Sequence, residues 1–229
     1  MKQVLFKLLI PGNIRRQLYK YYKRQIVNEE IENLRRIEET LPHVDLSPIY
    51  IANLRVVIDK FALLNALPRS SVVAEIGAQE GDFSSQIISI SRPAKLYLID
   101  SWPSDFSAVM DIVANKFRSE TNLGIVTIKR GPSIEVLSGF GDGYFDWVFL
   151  NASRAYECLS AELEICRMKV KENGLISGCG YTIGSWPDRH RYGVIDAVNE
   201  FCKRNKWEFV YLTHEYDRNL SYAIRKMRD

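Results

Sequence analysis

The chain has 229 residues, of which 46% are hydrophobic and 26% charged, enough to bury one sizeable core with an appendage. Its four cysteines, Cys158, Cys166, Cys179 and Cys202, lack Cys-x-x-Cys spacing, so no zinc site or disulfide framework follows from them, and reduced thiols in a cytoplasmic protein are expected. Residues 1–24 hold seven Lys or Arg and no acid, leaving 24 basic and 28 acidic residues in a body of net charge −4, which argues against a nucleic-acid-binding surface there.

The chain opens on the apolar run Val4-Leu5-Phe6-Lys7-Leu8-Leu9-Ile10. It is broken by Lys7 and far shorter than the roughly 18 residues that span a bilayer. No small-residue cleavage site follows, so the segment is read as retained. Val4, Leu5, Leu8 and Leu9 can form an apolar stripe beside Lys2 and Lys7. Two readings of residues 1–24 stay open: an amphipathic helix on an anionic membrane face, or a solvated or homodimer-packing helix. Next, a helix is expected over 14–40, with Asn13 as its N-cap and Leu41-Pro42 as its stop. A Pro-bounded linker, 43–48, separates a basic helical segment (1–48) from a second domain (49–229). There, Leu54, Val57, Ile58, Phe61 and Leu64 predict a helix over 50–66.

From Pro68 onward strands alternate with helices. Apolar runs predict strands at 72–76, 95–99, 124–129, 145–150, 174–178, 208–213 and 221–226. Helices are expected near 81–91, 105–120, 153–170 and 191–205. This alternation predicts an α/β fold with a doubly wound, mostly parallel sheet. The last two strands are joined by only Glu215–Leu220, too short for a parallel crossover, and should form an antiparallel hairpin.

The first strand leads into Glu75-Ile76-Gly77-Ala78-Gln79-Glu80-Gly81, and the second ends at Asp100. Strand, glycine turn, helix, strand, acid is the order that builds a nucleotide crevice. Glycines let the backbone approach a ligand, and the acid accepts hydrogen bonds from ribose hydroxyls. A dinucleotide turn would have Gly-x-Gly-x-x-Gly, but here Gln79 replaces the middle glycine. Glu75, Glu80 and Asp82 would repel a pyrophosphate, so a ligand with a cationic end suits the turn better. The competing structural readings are a ligand-free glycine connection and, for Asp100, a helix cap shared with Ser101 and Ser104. In Lys129-Arg130-Gly131-Pro132-Ser133 a short helix begins at Ser133, either as a capping serine or as a contact to a base edge.

The pattern Glu-x-Gly-x-x-x-Gly with a distant acid resembles class I S-adenosylmethionine (SAM)-dependent methyltransferases. Later segments extend the likeness: Phe145-Asp146-Trp147-Val148-Phe149-Leu150-Asn151-Ala152-Ser153-Arg154-Ala155-Tyr156-Glu157, Gly174-Leu175-Ile176-Ser177-Gly178-Cys179-Gly180-Tyr181, and Gly193-Val194-Ile195-Asp196-Ala197-Val198-Asn199-Glu200-Phe201. Their succession is similar to the small-molecule and sugar O-methyltransferase branch over about residues 50–226. The resemblance implies a Rossmann-like, seven-stranded sheet with one reversed strand, preceded by N-terminal helices. It implies SAM as cofactor, held by Glu75, Ile76, Gly77, Ala78, Gly81, Asp82, Phe83, Asp100, Ser101, Trp102, Ser133 and Asn151. It also implies acceptor chemistry around Asn151, Arg154, Tyr181 and His190.

The chain departs from that branch where the acceptor would sit. Asn151 replaces an Asp, Arg154 a His, and Cys179-Gly180 an Asp pair. A family-type Mg²⁺ site needs those carboxylates, so no metal is expected. Arginine cannot act as a base. Three explanations stay open: His190 is the base, the acceptor is an anion bound by Arg154, or catalysis has been lost and the chain is a SAM-binding or partner protein. The expected acceptor is a small polar molecule, such as a sugar or membrane-associated glycan precursor, rather than a nucleic acid. A weaker alternative is a membrane-peripheral scaffold built on residues 1–40.

Overall fold

The computed structural model describes residues 11–103, 107–185, 190–215 and 219–228. The expected apolar stripe of Val4, Leu5, Leu8 and Leu9, and the loop 186–189 before His190, lie outside the described residues. The chain forms two units, Met1–Leu41 with Ser185–Arg191, and Pro42–Gly184 with Tyr192–Asp229.

The first unit is built on one long helix, α1 (Gly12–Thr40). The carbonyl of Pro11 accepts from the Arg15 N–H at 3.0 Å, so the helix starts before Asn13, which does not cap it. Pro11 suits that place because its ring already holds φ near −51°. Tyr19, Tyr21 and Tyr22 are exposed. Arg191, on a two-residue strand, forms an ion pair with Glu38 of this helix.

The second unit begins with a 3-10 turn (Pro48–Ile51), β1 (Arg55–Val57) and α2 (Lys60–Ala66). Then come β2 (Val72–Ile76), α3 (Asp82–Gln86) with a π-helical turn (Ile87–Ser91), β3 (Lys95–Asp100), α4 (Ser107–Lys116), α5 (Arg118–Asn122), β4 (Val126–Arg130) and α6 (Ser133–Ser138). The chain continues through β5 (Phe145–Leu150), α7 (Tyr156–Lys169), β6 (Val170–Cys179), β7 (Gly184–Ser185), β8 (His190–Arg191, in the first unit), α8 (Val194–Asn205), β9 (Trp207–Thr213) and β10 (Ser221–Lys226).

The main sheet has the order β1-β9-β10-β6-β5-β2-β3-β4. Only β10 is reversed, pairing antiparallel with both β6 and β9. The seven expected strands are all present, and β1 makes an eighth. Both faces of the sheet are covered, which is why its strands read as continuous apolar runs. Ala74, Ile76, Val148 and Leu150 face α7 and α8 through Leu159, Leu163 and Phe201. Val73, Leu96, Trp147 and Phe149 face the other way, against Leu63, Ile87 and Phe117.

Two helix expectations need correction. The segment 50–66 is not one helix: Arg55–Val57 pairs in parallel with Tyr211–Thr213 of β9. Its valines gain more from extending an open sheet edge than from a helix they would crowd. The Asp59 side chain then restarts the chain as α2 by accepting from the Ala62 N–H at 2.7 Å. Of the expected helix 105–120, residues 105–106 lie outside the described residues and the rest is two helices, broken at Phe117, which is 3% exposed and belongs to the second core. Asp59→Ala should lower the stability of the second unit by about 1 kcal/mol through loss of the cap; urea denaturation with an unchanged midpoint would show that β1, not Asp59, sets this boundary.

Candidate functional site

Chain direction reverses between β3 and β5, on either side of β2, and their carboxyl ends are tied together. The Gly77 N–H donates to Ile99 at 2.8 Å and the Asn151 N–H donates to Ile76 at 2.8 Å. Gly77 has φ +90°, and a Cβ there would lie 2.6 Å from the Asn151 carbonyl oxygen. Glycine is needed for both reasons.

Two clefts open beside this junction. The first, about 620 Å³, is lined by Ala78, Asp82, Phe83, Trp102 and Asn151, with Lys60, Gln79 and Glu80 added to the expected set. The second, about 540 Å³, is lined by Ile76, Gly77, Ser101, Ser133, Ala152 and Glu162. Asp100 lines both. Its two carboxylate oxygens accept from the Gln79 N–H at 2.9 Å and the Trp102 N–H at 3.1 Å. The Trp102 indole N–H donates back to the Gln79 carbonyl at 2.9 Å. Gln79 and Trp102 have φ of +48° and +33°, uncommon values for residues with a Cβ.

Of the expected cofactor residues, Glu75 and Gly81 line neither cleft. Gly81 has φ +76°, and a Cβ there would meet the Phe117 ring at 2.6 Å. Glu75 is fully buried, accepts from the Ser84 hydroxyl through one oxygen, and has no partner for the other. Burial pushes its pKa up to about 8; the Ser84 bond opposes this and the nearby Asp100 adds to it. The sequence reading of Glu75 as a fixed negative charge is therefore corrected: at neutral pH, with the site as it stands, it is mostly protonated. Asp82 lies at the surface, paired with Lys116 at 2.6 Å.

Glu162 and Ser84 were missed in the sequence. Ser133 donates to one oxygen of Glu162 at 2.7 Å, and the other oxygen is buried without a partner. An acid on the apolar stripe Leu159-Glu162-Leu163-Cys166 was the available signal. Nothing in the local sequence ties Ser84 to Glu75.

The expected acceptor residues separate. Asn151 lies at the end of β5, where its Nδ2 donates to Gly77 at 3.3 Å and its Oδ1 accepts from the Cys179 thiol at 3.0 Å. It thus braces the ends of β2, β5 and β6. Arg154 runs past Gly180, where a Cβ would come within 2.9 Å of its Nε. Its guanidinium lies 5.0 Å from the Tyr192 ring centre, and its buried Nε has no acceptor. Tyr181 turns inward: its hydroxyl donates to Asn199 at 2.7 Å and its ring packs on Phe209. Burial holds that hydroxyl's pKa far above its usual value, so a proton-accepting role for Tyr181 does not fit this placement. His190 is exposed on β8 of the first unit. Among the described residues, no three His, Cys, Asp or Glu side chains converge as a metal site. No described helix is long and apolar enough to cross a membrane.

Comparison with known proteins agrees with this geometry. Residues 74–178 match the model of a family described as a methyltransferase domain. Among solved structures, the trans-methyltransferase CalH in complex with SAH has 15% identity and a TM-score of 0.55, covering 73% of this chain and 55% of its own. A SAM-dependent methyltransferase from Aquifex aeolicus has 13% identity and a TM-score of 0.55, covering 83% and 96%. The B. subtilis tRNA methyltransferase TrmK has 10% identity and a TM-score of 0.55, covering 76% and 67%. The chain thus spans just over half the length of CalH. No curated protein matches it in sequence. The fold is that of the class I SAM-dependent methyltransferases, and the family match lies within it.

Because folded Glu75 holds its proton more tightly than the unfolded chain does, its ionisation costs stability as pH rises from about 4.5 to about 8. Glu75→Gln should remove that loss. Melting curves from pH 5 to 9 should show the wild type falling relative to the variant; parallel curves would mean that Glu75 titrates normally.

Proposed function

We propose that the chain is a SAM-dependent methyltransferase acting on a small polar acceptor, without the family-type magnesium site. The observation that carries this is Asp100, standing between two clefts at the point where the sheet reverses direction. The residues fit the cofactor. Asp100 keeps free lone pairs for ribose hydroxyls. Glu80 and Asp82 give the first cleft a negative rim for an amino-acid end bearing an ammonium. Ser101, Ser133 and the unpaired Glu162 oxygen give the second cleft acceptors for a base amine. When bound, SAM supplies an electrophilic methyl group on a sulfonium. The protein's part is alignment and exclusion of water, effects large enough to carry such a transfer.

The net charge of −4 beyond residue 24 weighs against a nucleic-acid strand as acceptor. A sugar or glycan precursor is the class the resemblance favours. Asn151 supplies no carboxylate, and its carbonyl is already engaged by Cys179, so it is a poor magnesium ligand. A second reading, a SAM-binding protein without catalysis, is favoured by the internal use of the Asn151 and Tyr181 polar groups. Tight SAM binding with no methyl transfer to any acceptor would select it. Asp100→Ala should weaken SAM binding by about 1–3 kcal/mol by stranding the ribose hydroxyls; calorimetry giving an unchanged affinity would remove Asp100 from the cofactor site.

The basic segment 1–24 is assigned to location or assembly rather than to the cofactor. Attachment to anionic lipid should weaken as salt screens it over about 8–10 Å. The full chain should float with anionic liposomes at low salt or scatter as a dimer, and a chain beginning at Asn28 should do neither. Matching behaviour of the two would leave the segment without either role.

A further inference from the structure

We infer that the acceptor is a small carboxylic acid, methylated on its ionised carboxylate oxygen, with Lys60 and Arg154 as the two cations that hold it. The inference rests on the methyltransferase reading and names the acceptor of that same site.

The ends of β5 and β6 carry no charged side chain. Their side chains are Asn151, Cys179 and Gly180: an amide, a thiol and no side chain. Two cations lie near these groups. Lys60, at the start of α2, lines the first cleft together with Asn151. It is half-buried, its Nζ lies 5.7 Å from the Phe61 ring centre and 5.8 Å from that of Phe83, and no carboxylate pairs with it among the described residues. Arg154 runs past Gly180, next to Cys179, stacked on Tyr192, again with no carboxylate partner among the described residues.

Cys179 lies close enough to both cations to feel them. Burial pushes its thiol pKa up, while Arg154 and Lys60 pull it down. Glu215 is the acid that acts on the same thiol in the opposite sense. Its Oε1 is engaged by the hydroxyls of Thr213 at 2.9 Å and Ser221 at 3.1 Å. Glu80 and Asp82 belong to the same cleft, beside the glycine turn, and Asp82 is already paired with Lys116.

Lys60 and Arg154, each partly buried and without a carboxylate pair among the described residues, favour an anionic ligand beside Asn151 and Cys179 even with Glu80, Asp82 and Asp100 elsewhere in the first cleft. A planar guanidinium fixed by stacking is suited to a carboxylate. The chemistry then balances without a base. A lone pair of the carboxylate oxygen forms the new C–O bond as the C–S bond breaks. The electron pair of that bond goes to sulfur, turning sulfonium to thioether. The carboxylate charge and the sulfonium charge disappear together, and no proton moves. A neutral hydroxyl would instead need a proton acceptor, and neither Arg154 nor the raised Tyr181 hydroxyl can be one.

The test uses the full chain. Its binding of S-adenosylhomocysteine is measured first by calorimetry. The saturated protein is then titrated with glucuronate, galacturonate, succinate and benzoate, and with glucose, galactose, succinamide and benzamide as uncharged counterparts. In parallel, methyl-labelled SAM is incubated with each, and the product is treated with alkali, which releases methanol from esters but not from ethers. At least one acid should bind roughly tenfold or more tightly than its counterpart, the scale of a charge-assisted pair, and yield an alkali-labile methyl group. Arg154→Gln should erase most of that preference and Arg154→Lys should restore part of it, both with unchanged affinity for S-adenosylhomocysteine. Alkali-stable products, equal binding of acids and neutral counterparts, or no binding of any acid by the saturated wild type would overturn the inference. Absence of S-adenosylhomocysteine binding would instead defeat the methyltransferase reading, and this inference with it.

Discussion

The close approach of Gly77 to the Asn151–Ala152 backbone is the constraint on which the site depends. A Cβ at Gly77 would lie 2.6–2.7 Å from three backbone atoms there, closer than carbon atoms pack. That contact brings the carboxyl ends of β2 and β5 together above the sheet. It sets the wall between the two clefts, places Asn151 where it can reach both Gly77 and Cys179, and puts Asp100 between the clefts. The sheet below supplies rigidity, since both of its faces are packed and only β10 runs against the rest. The residues that would hold a ligand are thus positioned by backbone hydrogen bonds rather than by their own rotamers.

Much of this was legible in the sequence, for identifiable reasons. Strands buried on both faces are runs of apolar residues, and Val72–Ile76, Lys95–Asp100 and Phe145–Leu150 are such runs. Glycine at 77 and 81 marks positive φ, and both angles are positive. What the sequence hid was context. Arg55–Val57 reads as part of a helix until β9 offers it an open edge. Glu75 reads as a charge until the fold removes every path to water. Tyr181 reads as a reactive hydroxyl until Asn199 is seen to occupy it. In each case a long-range partner, at a separation no local pattern encodes, decides the outcome.

The acceptor end of the proposed site differs from the branch the sequence resembles in a few side chains. Where that branch carries acids and a histidine, this chain has Asn151, Gly180 and Arg154. Gly180 leaves room for Arg154, whose Nε would lie 2.9 Å from a Cβ there. In the proposed role, a position without a metal ligand makes room for a cation, and the departures amount to one change in the charge of the preferred partner.

One further consequence lies in the bonding of Asp100. Each of its oxygens already gives one lone pair to a backbone N–H, of Gln79 or of Trp102. What remains is one acceptor site per oxygen, a spacing suited to two adjacent hydroxyl groups on one ring. A nucleoside lacking its 2′-hydroxyl would engage one oxygen and leave the other with only its backbone N–H partner. In its proposed cofactor role, the Asp100 carboxylate would distinguish ribonucleosides from deoxyribonucleosides by the acceptor positions it leaves open, held in place by the Gln79 and Trp102 backbone.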